Sequence, residues 1–245
     1  MNLIIDIGNT QTKVSVFDNS EISKFVRYDF LSRKELQSIC AQFPNIKNAI
    51  LSSVINHKKE ITDFLSKRLG YENFVLLNHE TALPIENLYK TKTTLGNDRI
   101  AVAVGANSIF PSENILIVDF GTAITYEIVN EKNQYLGGNI SPGLETRYKA
   151  LNNFTKKLPM LSKRNNFSII GNSTESAITA GVQQGIIFEI EGYIDYLTKK
   201  FNNLKVIFTG GDTFFFDKKL KNTIFAQPNL VHIGLNRILE FNRLA

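Results

Sequence analysis

The run Asp6-x-Gly8-Asn9-Thr10-x-x-Lys13 brings together a carboxylate, a glycine, two short polar side chains and an ammonium within one short stretch. Gly8 allows unusual backbone dihedrals, so a tight turn can point backbone N–H groups at a bound anion, with Asn9, Thr10 and Lys13 adding side-chain donors. Such a turn can cradle a phosphate. Asp6 ends the apolar run Leu3 to Ile7 and is placed to hold a hydrated Mg²⁺ that bridges phosphate oxygens. A plain Asx-type hairpin turn, with Asp6 and Asn9 serving local backbone groups, accounts for the same residues. The pattern returns as Asp119-x-Gly121-Thr122-Ala123-x-Thr125, and one constant offset, close to half the chain, relates Asp6 to Asp119 and Gly8 to Gly121. The repetition favours the phosphate reading, because two such turns facing each other across a cleft give one ligand two clamps.

Three further stretches carry candidate contacts. Gly96-Asn97-Asp98-Arg99 precedes the apolar run Ile100 to Val104 and reads as a helix start with Asn97 or Asp98 as N-cap. A carboxylate beside a guanidinium can also orient a substrate hydroxyl and pair with a substrate carboxylate. Thr209-Gly210-Gly211 follows a strand, where side-chain-free backbone can lie against a purine or ribose. Gly137 to Gly143 reads as a turn cluster that lines a pocket or reverses the chain. Thr174, before Glu175, reads as an N-cap whose hydroxyl can also meet a ligand. His57, His79 and His232 lack metal-ligand spacing and receive no role. Walker A, Gly-x-Gly-x-x-Gly and Gly-x-Ser-x-Gly patterns are absent from the sequence.

The elements that must hold these residues alternate between strand and helix. Strands are expected at Leu3 to Ile7, Lys13 to Phe17, Ala49 to Val54, Phe74 to Leu77, Ile115 to Val118, Thr125 to Val129, Gln134 to Ile140 and Lys205 to Phe208. Helical spacing is present at Arg33 to Phe43, Lys58 to Leu69, Arg99 to Phe110, Leu144 to Asn152, Glu175 to Phe201 and Leu235 to Leu244. The alternation implies an α/β chain with parallel strand pairs. With no low-complexity linker to mark a boundary, two related halves, 1–110 and 111–245, are expected.

Composition narrows the function classes. The 245 residues are 43% hydrophobic and 21% charged, which excludes a disordered or collagen-like chain. No stretch reaches the ~18 uninterrupted apolar residues of a membrane helix, and Asp6 breaks the first apolar run unlike a signal peptide, so a cytoplasmic location is expected. Cys40 is the single cysteine, which rules out an intrachain disulfide or a cysteine-based zinc site; it reads as a small buried core residue. The net charge of +5 permits attraction to anions without demanding nucleic acid. Basic residues are scattered except around Lys149, Lys156, Lys157, Lys163 and Arg164, which read as a solvated surface.

The whole series, from Asp6-x-Gly8-Asn9-Thr10-x-x-Lys13 through Gly96-x-Asp98-Arg99, Asp119-x-Gly121-Thr122-Ala123-x-Thr125, Gly137-Gly138-x-Ile140-x-Pro142-Gly143 and Thr174 to Thr209-Gly210-Gly211, resembles the type III pantothenate kinases. These belong to the acetate and sugar kinase, Hsc70 and actin superfamily. The resemblance implies duplicated ribonuclease H-like halves with a cleft between them, and ATP-dependent phosphorylation of pantothenate, the first step of coenzyme A synthesis. It implies that Asp6, Gly8, Asn9, Thr10, Lys13 and Thr122 hold the ATP phosphates with Mg²⁺, and that Gly210 and Gly211 border the adenosine. Asp119 then helps bind a monovalent cation, K⁺ or NH₄⁺. Gly96, Asn97, Asp98, Arg99 and Thr174 contact pantothenate, with Asp98 as proton acceptor and Arg99 facing the pantothenate carboxylate. A homodimer with the substrate pocket at the subunit interface is implied as well. Asp212 departs from the apolar residue more usual after the glycine pair, and Asn229 and His232 also stand in a stretch that often reads differently. Another small-molecule kinase of the superfamily and a non-catalytic transcriptional accessory factor are the alternative readings.

Overall fold

A computed structural model describes residues 1–54 and 59–244; His57 and Lys58 lie outside the described residues. The chain divides into two compact units, one made of Met1–Pro111, Asn133–Tyr135 and Asn229–Ala245, the other of Ser112–Lys132 and Leu136–Pro228. Residues 229–245, grouped by sequence with the second half, thus cluster with the first unit.

The first unit is built on five strands, β1 (Asn2–Ile7), β2 (Thr12–Asp18), β3 (Glu21–Tyr28), β4 (Asn48–Ser53) and β5 (Phe74–Leu76), in the order β3-β2-β1-β4-β5. β1 pairs antiparallel with β2 and parallel with β4. All six residues of β1 are buried, as a central strand covered on both faces requires. On one face Leu3, Ile5, Val14, Val16 and Leu51 pack with Leu36, Ile39, Ile61 and Leu65 from helices α1 (Arg33–Gln42) and α2 (Lys59–Leu69). α1 starts at a capping box formed by Ser32 and Glu35. Cys40 is buried in this core.

The alternate residues of β1 and its neighbours face helix α7 (Leu230–Leu244), through hydrogen bonds from Asn2 to Asn236 and between Ser15 and His232. Helix α3 (Asn97–Ile109) runs against α7. The two backbones approach closely: a Cβ on Gly234 would lie 1.8 Å from the Ala101 carbonyl oxygen, so only glycine fits there. A short strand, β6 (Glu86–Asn87), pairs in parallel with Gln134 and Tyr135.

The second unit contains β7 (Ile115–Phe120), β8 (Ala123–Val129), the remainder of β9 (Gln134–Pro142), β10 (Lys205–Gly210) and β11 (Phe225–Ala226). Their order, β9-β8-β7-β10-β11, repeats that of the first sheet, with β7 again antiparallel to its hairpin partner and parallel to β10. The internal repeat read from Asp6 and Asp119 is therefore a repeat of topology. Helices α4 (Leu144–Phe154), α5 (Thr174–Lys200) and α6 (Thr213–Phe216) join a core that includes Leu116, Phe120, Tyr126, Ile186, Phe208 and Phe216.

The sequence expectations need correction in several places. Residues 137–142 lie within β9 rather than in a turn; Gly138 serves close strand packing, because a Cβ there would meet the Tyr126 carbonyl oxygen at 1.7 Å. α3 and α7 begin earlier than expected, at Asn97 and Leu230, and β3 went unread because its exposed polar residues mask the alternation. Among the described residues no helix is long and apolar enough to cross a membrane.

Candidate active site

Strand register sets out the acidic turn of the first unit. Asp6 on β1 stands opposite Lys13 on β2 and beside Ser52 on β4, and Lys13 in turn stands opposite Arg27 on β3. Residues paired in this way share one face of the sheet, so Ser52, Asp6, Lys13 and Arg27 form a polar row near the carboxyl end of β1. Asp6 is only 6% exposed. Burial pushes its carboxyl up to about 6; the Lys13 ammonium works against that rise, the Asp98 carboxylate adds to it and the Ser52 hydroxyl opposes it. No hydrogen-bond partner among the described residues reaches Asp6 Oδ1.

The turn after β1 closes through a hydrogen bond from Gly8 N to the Gln11 carbonyl, 3.1 Å, leaving Asn9 and Thr10 exposed. Its glycine does not use the left-handed backbone region that favours glycine. Gly8 is not among the residues with positive φ; a Cβ there would instead crowd the Gln11 oxygen at 3.2 Å.

The start of α3 is tied to the same edge of the sheet. Asn97 Nδ2 donates to the carbonyls of Ser53 and Leu77, at 3.3 and 3.1 Å, pinning the helix to the ends of β4 and β5. Gly96, rather than Asn97 or Asp98, is the N-cap. Asp98 sits in the first turn, its Oδ1 accepting from Arg99 N at 2.8 Å, and it is close enough to influence Asp6 electrostatically. Arg99 is 6% exposed, with its guanidinium 5.5 Å above the Tyr89 ring, which stacks on Tyr135. The structure thus gathers Asp6, Lys13 and Asp98 in one unit around one edge of the sheet.

The second unit assembles its own cluster. Asp119 on β7 is in register with Thr125 on β8 and Thr209 on β10. Gly121 N donates to the Ala123 carbonyl at 3.1 Å, and Gly211 N to the Phe120 carbonyl at 2.9 Å. Gly210 has φ +92°, and a Cβ there would lie 2.4 Å from Asp119 Oδ1 and 2.6 Å from Phe120 N, so a side chain is excluded by both conformation and space. The Thr122 carbonyl accepts from Gly143 N at 3.0 Å and from Thr146 Oγ1 at 2.7 Å. Arg147, salt-bridged to Glu189, donates through Nε to the Pro142 carbonyl at 2.8 Å and holds the adjoining segment. Asp119, Thr122, Gly210 and Gly211 therefore converge at the carboxyl ends of β7 and β10.

Asp212, directly after the glycine pair, bonds Lys163 at 2.5 Å, and both residues line a cavity of about 270 Å³ together with Leu144, Met160 and Leu161. A larger hollow in the first unit, lined by Arg33, Glu60, Asp63, Phe64, Lys67 and Arg68 on the outer faces of α1 and α2, contains none of the candidate residues. Thr174 is exposed at the start of α5. Ser173 takes the N-cap position expected for Thr174 and forms a capping box with Ser176. Arg164, from the basic stretch, pairs with Glu175 at 2.7 Å.

Sequence reading passed over Ser52, Arg27 and His232. Ser52 and Arg27 are isolated polar residues whose relation to Asp6 and Lys13 exists only in the strand register. His232 is 1% exposed and meets Ser15 across more than two hundred residues of chain; no local spacing announces such a contact.

The donor set fits a hydrated Mg²⁺ bound through phosphate oxygens. Asp6 supplies one buried carboxylate oxygen without a protein partner, and no cluster of three or more His, Cys, Asp or Glu side chains able to hold a metal occurs among the described residues. Mg²⁺ characteristically keeps several waters and takes one or two carboxylates plus substrate phosphates.

Two sheets of the same strand order, each with an Asp-x-Gly turn at the carboxyl end of its central strand, define the actin-like and sugar kinase class of ATPase folds. A glucokinase from an Antarctic psychrotroph shares that fold, with a TM-score of 0.56 at 13% identity over 98% of each chain. A Campylobacter jejuni protein described as a Baf family transcriptional activator aligns with a TM-score of 0.63 at 25% identity, over 99% of this chain and 100% of that one. The sequence pattern of the type III pantothenate kinase family matches residues 2–196, and the type III pantothenate kinase of Phocaeicola vulgatus is 47% identical over 242 residues, 99% of both chains. The chain belongs to the type III pantothenate kinase family, whose activity is the ATP-dependent phosphorylation of pantothenate in coenzyme A biosynthesis.

Proposed function

We propose that the edge of the first sheet holds the reacting groups of this kinase. In this reading Asp98 aims the primary hydroxyl of pantothenate at the γ-phosphate and accepts its proton, while Gly96, Asn97, Arg99 and Thr174 contact the rest of the acceptor. The backbone of Gly8 and the side chains of Asn9, Thr10 and Lys13 bind ATP phosphates, as does Thr122, and Asp6 orients the hydrated Mg²⁺. Bound Mg²⁺ supplies positive charge to the phosphate oxygens. Phosphoryl transfer needs mainly alignment and charge neutralisation, which is why a carboxylate at a helix start suits Asp98 as a positioning base. Gly210 and Gly211 border the adenosine, and the cavity beside Asp212 and Lys163 supports that side of the reading. Asp119 helps bind a monovalent cation, K⁺ or NH₄⁺. The working form is a cytoplasmic homodimer with its acceptor pocket at the subunit interface, and 1–110 and 111–245 are the two duplicated halves.

The observation that supports this reading is the hydrogen bond from Asn97, beside Asp98, to the Ser53 carbonyl, next to the register row of Ser52, Asp6 and Lys13. The Asp98→Asn enzyme tests it. With ADP release coupled to a spectroscopic readout, kcat should fall about 100-fold or more, the scale of a general base, while the fold and ATP binding persist. Near-wild-type kcat would remove Asp98 from the reaction.

A further inference from the structure

His232 is a buried ionisable group that the kinase reaction as described leaves without a task. It projects from α7 onto the face of the first sheet that carries Asp6 and Lys13. Its Nδ1 lies 2.6 Å from Ser15 Oγ, and Ser15 follows Lys13 by two positions on β2, so both side chains leave the strand on the same side. Phe25, the register partner of Ser15, meets the imidazole edge-on at 5.1 Å and fixes the ring plane. Nε2 is buried and has no hydrogen-bond partner among the described residues. Burial, with the nearby Lys13 charge adding to it, lowers the imidazole to about 3, so the ring is neutral and one nitrogen carries a free lone pair.

We propose that His232 is a positioning residue for Lys13: Nδ1–H donates to Ser15 Oγ, and Nε2, which meets no donor among the described residues, is the acceptor onto which the Lys13 ammonium settles, aimed at the phosphates, when nucleotide binds. This rests on Lys13 being a phosphate contact. The row around Lys13 gives the arrangement its purpose. Asp6 is the cross-strand neighbour of Lys13, and an ammonium with no other acceptor would close onto that carboxylate and compete with Mg²⁺ for it. Arg27, opposite Lys13 on the other side, is a cation and offers no acceptor. A neutral acceptor beneath Lys13 holds the ammonium without adding charge to the site and leaves its remaining donors for phosphate oxygens.

The tautomer and the Lys13 contact are readable in the folded wild-type enzyme, with a non-hydrolysable ATP analogue and Mg²⁺ bound, by ¹⁵N NMR of labelled histidine. The His232 proton should reside on Nδ1, and Lys13→Met should move the Nε2 signal toward that of an unbonded imine nitrogen. A proton on Nε2, or an Nε2 signal indifferent to Lys13→Met, overturns the proposal. Kinetics supply the second arm. The amide of His232→Asn occupies the place of Nδ1 and keeps the Ser15 contact, whereas that of His232→Gln reaches the place of Nε2. His232→Asn should raise KM for ATP about tenfold, the scale of a hydrogen bond to a charged group, and leave KM for pantothenate within about twofold. His232→Gln should bring KM for ATP back to within about threefold of wild type. Equal effects of Asn and Gln, or a rise in both KM values together, would mark a purely structural histidine. If Lys13→Met leaves KM for ATP unchanged, the phosphate role of Lys13 itself fails; if it raises KM for ATP and His232→Asn does not, only the role of His232 fails.

Discussion

Replacing Asp6 by Asn should make the protein more stable and a poorer enzyme, and the stability half of that statement has a definite pH signature. The Asp6 carboxyl is raised from 3.8 to about 6, chiefly by burial. A folded-state pKa above the unfolded one means that the folded chain binds the extra proton between those two values, so stability falls as pH rises through that window. Above about pH 6 the ionised group is a standing cost of about 3 kcal/mol, from 1.36 kcal/mol for each pKa unit. An amide keeps the shape and removes the charge. For a chain of this length about 3 kcal/mol corresponds to roughly 6–12 °C in Tm. Thermal unfolding of Asp6→Asn and wild type at pH 7.5 should show a gain of that order, shrinking toward nothing near pH 3, below both pKa values of the wild-type carboxyl. Adding Mg²⁺ and ATP should reverse the ranking, because ligand binding stabilises the wild type more. A variant no more stable than wild type at pH 7.5, or equally advantaged at both pH values, would refute the account of Asp6 as a carboxylate held at a cost for its ligand.

The two adjacent glycines after β10 should behave differently. Gly210→Ala forces a side chain into φ +92° and onto Phe120 N and Asp119 Oδ1, and should destabilise by at least about 1–3 kcal/mol in urea unfolding; in Gly211→Ala the new Cβ meets nothing nearer than 4.0 Å, so its melting should match wild type. Equal melting of the two variants would count against the packing described at that turn. If the proposed monovalent cation binds at Asp119, turnover in potassium or ammonium buffer should exceed that in sodium buffer, and identical rates in all three would refute the proposal.

Much of the candidate site was legible because its residues come in contiguous strings. Asp6 to Lys13 and Asp119 to Thr125 each form a hairpin, and hairpin register follows directly from local sequence. The topological repeat was legible for the same reason. The contributions of Ser52, Arg27 and His232 were not, since each depends on which strand or helix lies alongside β1 and β2. The buried runs of β1, β4 and β7 stood out through their apolar character, whereas β3, with its exposed polar positions, did not. Helix starts were misplaced where the cap was a glycine, as at Gly96, or the less obvious of two hydroxyl residues, as at Ser173. Backbone freedom is the sequence reading of Gly8, whereas its φ is not positive and a Cβ there would press on the Gln11 carbonyl oxygen at 3.2 Å.

Because α7 lies against β1 and β4, β1 waits during synthesis for Leu230–Leu244 before its second face is covered. During synthesis Asn2, Asp6 and Ser15 remain wetted while the entire second sheet is translated, and polar side chains at those places let the nascent sheet tolerate water where an apolar surface would invite aggregation. Closure of α7 is then a late, long-range event, and it delivers His232 to Ser15 only after every other described strand has left the exit tunnel.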